Sequence, residues 1–138
     1  MGAALPADGP AVDESYQAAS EVAFRDAWRE QLLAKAWDAL ATFERATGQP
    51  VHTVLRLRAD RPDSTAEGLA ALLATALGRE VDGGWVRKRV HLARRKFAEL
   101  LVEEVRQTID PSDPGGLTDE LMDLGLYDYC REAGRNAQ

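Results

Sequence analysis

The chain has 138 residues, with 17 Lys and Arg against 23 Asp and Glu, a net charge of −6 and 45% apolar residues. That length fits one domain with a modest core. It excludes a membrane span, because no apolar run reaches roughly 18 residues. It also excludes an intramolecular disulfide, because Cys130 is the single cysteine, and a reducing cytoplasm fits.

Residues 1–22 are rich in Ala, Asp, Gly and Pro, with four acids and no base. They read as a flexible acidic lead-in that is neither a signal peptide nor a myristoylation signal. A long first helix is expected over about 21–47. Its stripe is Phe24, Trp28, Leu32, Leu33, Trp37, Leu40 and Phe43, at three- and four-residue steps, and core packing is the ordinary reason for such a stripe. Gly48 ends it and Pro50 blocks continuation.

A short helix over 51–59 follows, with Val51, Val54 and Leu55 inward. The alternation in VLRLR leaves a strand as the alternative. Asp60, Pro62 and Asp63 make a turn. A third helix starts at Ser64 or Thr65, where Glu67 stands at capping-box spacing from Ser64. Leu69, Ala70, Leu73 and Leu77 are its buried stripe, and Gly78 closes it.

Asp82 caps the next helix, expected over 84–109. Val86, Val90, Ala93, Phe97, Leu100, Leu101 and Val105 form its apolar side. Residues 83–96 carry Arg87, Lys88, Arg89, Arg94, Arg95 and Lys96 with no acid among them, and taking away these six positives leaves −12 elsewhere. Acids Glu99, Glu103 and Glu104 come later, opposite to what a helix dipole favours. Positive charge so placed points to a nucleic-acid partner, since binding follows local potential more than total charge, and a solvated helix face is the alternative.

Residues 110–116 read as a linker, 117–132 as an acidic C-terminal helix with Gly125 as a candidate break, and 133–138 as a disordered tail. The working domain is 23–109, with a helix–turn–helix over 64–109. His52 and His91 form no ligand spacing with each other or with Cys130, and Gly83-Gly84 and Gly115-Gly116 lack a phosphate-loop pattern. No metal, cofactor or catalytic residue is expected, so the chain does not read as an enzyme.

The wording of 84–97, GWVRKRVHLARRKF, resembles the GTVKSRLHRARKRL-like signature of region 4 in sigma-70 family factors, especially the extracytoplasmic-function type. Gly84, Val86, Arg87, Arg89, Val90, His91, Ala93, Arg94 and Phe97 carry the match. Leu69-Ala70 and Val54-Leu55-Arg56-Leu57-Arg58 are similar to the preceding helices of that region. No region 2-like segment is recognised, and Trp85 stands where the family has a small threonine.

The resemblance implies an all-α, sigma region 4-like helix–turn–helix bundle, with a long N-terminal helix and an acidic C-terminal helix added. It implies contact with promoter −35-type double-stranded DNA and with the RNA polymerase core. The DNA-binding candidates it implies are Trp85, Arg87, Lys88, Arg89, His91, Arg94, Arg95 and Lys96. Arg87, Lys88 and His91 suit base edges, whereas Arg89, Arg94, Arg95 and Lys96 suit phosphates. The alternative is a protein–protein adaptor on the same fold that does not bind DNA, using the first helix or the acidic C-terminal helix.

Overall fold

The computed structural model describes residues 5–136, and side chains over residues 15–133. Among the described residues there are six helices and no strand: α1 (Leu5–Thr47), α2 (Val51–Asp60), α3 (Ala66–Leu77), α4 (Gly83–Arg106), α5 (Gly116–Asp123) and α6 (Tyr127–Asn136). The protein is all-α, and the strand alternative for 51–59 is excluded. No helix among the described residues is long and apolar enough to cross a membrane.

The chain divides into two units, residues 1–31 and residues 32–138. In the first, α1 is already helical at Leu5, so the start expected near residue 21 lies too late. No glycine or proline occurs from residue 11 to residue 47, which accounts for an unbroken helix over that span. Pro6, Gly9 and Pro10 lie within the first turns of α1, and helix propensity does not account for the helix there. Residues 1–4 lie outside the described residues. Phe24, expected in the core, is 75% exposed, and Tyr16 is 72% exposed. Helical spacing shows which residues share a face. It does not show that anything packs against that face.

The second unit is built on α4, which packs against α2, α3, α5 and α6. Its buried residues Val86, Val90, Ala93, Phe97, Leu101 and Val105 follow the expected stripe. Val86 and Val90 join Val54, Leu69, Ala70 and Leu73 in one cluster, with Trp85, Leu77 and Val81 packed at its edge. Further along α4, the ring of Phe97 lies 4.9 Å from Trp37 of α1 and 6.3 Å from Tyr129 of α6. Leu32, Ala36 and Leu40 bury the inner side of α1 in this unit.

The boundaries have identifiable causes. Gly78 adopts φ +71°, which a residue with a Cβ rarely adopts, and so ends α3. Thr65, rather than Ser64, caps α3 by accepting from the Gly68 N–H at 3.0 Å. That leaves Glu67 outside a capping box. Asp82 caps α4 by accepting from the Trp85 N–H at 2.8 Å. Asp82→Ala is therefore expected to lower stability by about 1 kcal/mol, read as a shift in urea midpoint. An unchanged midpoint would show that α4 does not depend on this cap.

The C-terminal part differs from expectation in two places. Helix α4 ends at Arg106, short of the expected 109, whereas the candidate break at Gly125 is present, at φ +74°, and divides 117–132 into α5 and α6 as expected. The tail expected to be disordered from 133 is helical to Asn136, because α6 continues and buries Ala133. Residues 137 and 138 lie outside the described residues.

Candidate nucleic-acid interface

Helix α4 presents its charge on the side opposite its buried stripe. Arg87, Lys88, His91, Arg94 and Arg95 are exposed over its first half, and Arg89, Lys96 and Trp85 are half-buried. All eight residues picked from the sequence lie on this helix, but they divide among three surroundings.

The first surrounding lies toward α2 and the start of α3. Arg87, His91 and Arg94 line a small cleft of about 160 Å³ with Arg58 of α2. Arg58 donates to the carbonyls of Arg61, Pro62 and Ser64 at 2.7, 2.7 and 2.9 Å, which fixes the α2–α3 turn. Arg87 pairs with Glu67 of α3 at 3.2 Å.

The second lies on the opposite flank. The guanidiniums of Arg79 and Arg89 sit over the ring of Trp85, at 5.2 and 4.9 Å from its centroid. With its body packed at the core edge and two cations at its ring, Trp85 acts as a platform for charge. Lys96 is likewise placed, 4.4 Å from the Phe43 ring centroid and 3.5 Å from Glu99.

Between these flanks, Lys88 is exposed beside Gly84 and Asp82 at the helix start. Arg95 is exposed and pairs with Glu99 at 3.4 Å. Exposed pairs of this kind contribute little to stability, because water screens them. They are also readily exchanged for an external anion.

Three residues of this surface were not singled out in the sequence for a role in it. Arg58 and Arg79 lie outside the basic block, and the turn folds them back to it. Glu67 reaches Arg87 across twenty positions, and no local pattern marks such a pair. Its carboxyl is held below the ordinary range, first by its own backbone N–H and then by the Arg87 guanidinium. A lowered carboxyl pKa makes the pair complete above the ordinary carboxyl range. The pair is lost as pH falls through that depressed value.

Gly83 makes room for this arrangement. It is buried, and a Cβ there would overlap the Glu67 carboxylate.

Burial pushes the Cys130 thiol up, which keeps it protonated and unreactive at neutral pH. Among the described residues, no three His, Cys, Asp or Glu side chains group to hold a metal ion. Comparisons with family models, curated proteins and solved structures return no match to the chain.

Proposed function

We propose that the chain is a transcription-related DNA-binding domain, of the sigma region 4-like kind that the sequence resembles. In this reading α3, the turn and α4 act as a helix–turn–helix. The first half of α4 enters the major groove of −35-type promoter DNA, and the RNA polymerase core is the protein partner. The observation that carries the reading is the exposed set Arg87, Lys88, His91 and Arg95 on one side of α4, directly after a capped turn. Arg87, Lys88 and His91 are the base-edge residues, and Arg94 and Arg95 meet phosphates. Trp85 and Arg89 act together, the ring holding the guanidinium toward the backbone.

The test is binding to a duplex library at two salt concentrations. A sequence preference is expected, with log affinity falling by about 0.9 per log salt for each phosphate neutralised. Equal binding to all duplexes and no salt dependence would overturn the reading.

Glu67 competes with DNA for Arg87. Glu67→Gln is expected to raise duplex affinity by roughly threefold at constant salt, since it removes an exposed charge pair that binding has to break. An unchanged or lower affinity in an anisotropy titration would show that Arg87 does not meet DNA.

A second reading has its own observation. Arg87, Arg95 and Lys96 already pair with acids of this chain. A surface that neutralises itself suits a protein–protein adaptor that leaves DNA unbound. Co-purification with polymerase that survives loss of Arg87 and Lys88, together with absent duplex binding, would favour it.

A further inference from the structure

Two adjoining cavities on the second unit differ in chemistry and share two arginines. The larger, about 500 Å³, is walled by Trp37, Phe97 and Tyr129. The smaller, about 160 Å³, is lined by Arg87 and His91. Arg58 and Arg94 border both. We propose that this composite cleft binds a nucleoside monophosphate, with the base among the three aromatic side chains and the phosphate between Arg58, Arg94 and His91. The proposal does not rest on the DNA-binding reading, although Arg94 belongs to both.

Size and shape argue for a ring-bearing ligand. The larger cavity lies in the range of small-molecule sites and is far bigger than a bare inorganic anion requires. Its aromatic walls are fixed in advance. Trp37 is packed on Phe97 at 4.9 Å and edge-on to His52 at 5.7 Å, while Arg56 lies 4.9 Å from its centroid. These contacts take up much of the Trp37 ring, so a base entering beside them meets the exposed ring edges and the Tyr129 side, and gains apolar contact with little loss of side-chain freedom. Duplex DNA keeps its bases stacked internally and cannot offer one here. A free nucleotide can.

Charge argues for one phosphate. Arg58 is already oriented by three carbonyls, so its guanidinium is held in place at the cavity border. Arg94 is exposed and makes no ion pair among the described residues. Arg87, by contrast, is answered by Glu67. The uncommitted positive charge is thus small, enough for a monophosphate and poorly matched to a triphosphate. Arg94 can offer its guanidinium fork to a pair of phosphate oxygens, whereas Arg58, one terminal nitrogen of which is taken by the three carbonyls, adds single N–H donors.

The experiment is an amide- and indole-resolved NMR titration of the full chain with AMP, adenosine and inorganic phosphate in parallel. AMP is expected to give saturable shifts at the Trp37 indole and at Ala59, Ser64, Arg94 and Tyr129. Adenosine and inorganic phosphate are each expected to bind at least about tenfold more weakly, since each lacks one half of the recognition. Arg94→Gln, which removes no internal ion pair, is expected to weaken AMP about tenfold with an unchanged melting temperature. Tyr129→Ala, which takes away one wall, is expected to weaken AMP and adenosine alike. No saturable shift up to about 10 mM AMP would overturn the proposal, as would inorganic phosphate binding as well as AMP. Unchanged AMP affinity in both variants would overturn it too. Titrating a DNA duplex into the same samples separates the two readings, because AMP can fail while duplex binds, and the reverse.

Discussion

Leu73→Ala is expected to lower the stability of the second unit by about 2–5 kcal/mol, a large part of the roughly 5–15 kcal/mol that holds a domain folded. Leu73 has no exposed surface and sits among Val54, Leu69, Ala70, Val86 and Val90. Removing its three outer carbons takes apolar surface out of contact with helices α2, α3 and α4 at once and leaves a hole that rigid neighbours fill only in part. The measurement is a urea titration followed by helical circular dichroism, read as a lower midpoint. Leu72→Ala is the control one position away. Leu72 is 41% exposed, and the same substitution there is expected to change stability by no more than about 0.5 kcal/mol. Equal effects at the two positions would mean that α3 is not docked by its Leu69–Leu73 side.

The paired substitution Arg87→Ala with Lys88→Ala is expected to weaken duplex binding by about a hundredfold, with helix content unchanged. A charged contact to a base edge or phosphate is worth about 1–3 kcal/mol, so two together exceed a factor of ten comfortably. Arg87 contributes the smaller share, because the pair with Glu67 at 3.2 Å offsets part of its gain. Lys88 pairs with no carboxylate in the ion pairs of the described residues and should dominate. Anisotropy titrations at several salt concentrations separate the roles. Loss of a phosphate contact flattens the salt dependence, and loss of a base contact narrows the gap between preferred and unrelated duplexes. Affinity within about threefold of the parent chain would remove α4 from the DNA reading.

Much of the fold was legible because its punctuation is local. Gly48, Gly78, Asp82 and Gly125 act within a turn of the residues they end or begin, so the sequence around them shows the boundary. The inner side of α4 was legible for the same reason, since Val86, Val90, Ala93 and Phe97 repeat at helical steps. Phe24 was not legible. Its spacing is that of a core residue, and exposure depends on a neighbour that no local pattern encodes. The surface shows the same division. A run of arginines and lysines is plain in one dimension, whereas Glu67 against Arg87, and Arg79 with Arg89 over Trp85, are meetings between segments. Arg58 stood out only as part of a helix wording, and its place on the surface was missed because it depends on three carbonyls of a turn it folds back upon. The split of the basic block into three surroundings therefore had to come from the structure.

The joint between α1 and α2 carries a consequence for folding. Pro50, at the start of α2, offers no side-chain cap, and the carboxylate of Glu44 supplies one from α1. It accepts from the Thr53 N–H at 2.9 Å and from the Thr53 hydroxyl at 2.7 Å. The first turn of α2 is thus completed by a residue of another helix. In hydrogen-exchange terms, the Thr53 amide is expected to open only when Glu44 lets go, which would couple the end of α1 to the start of α2. A chain that closes this corner early fixes Val51, Val54 and Leu55 before α3 and α4 arrive, and gives those helices a ready surface on which to condense.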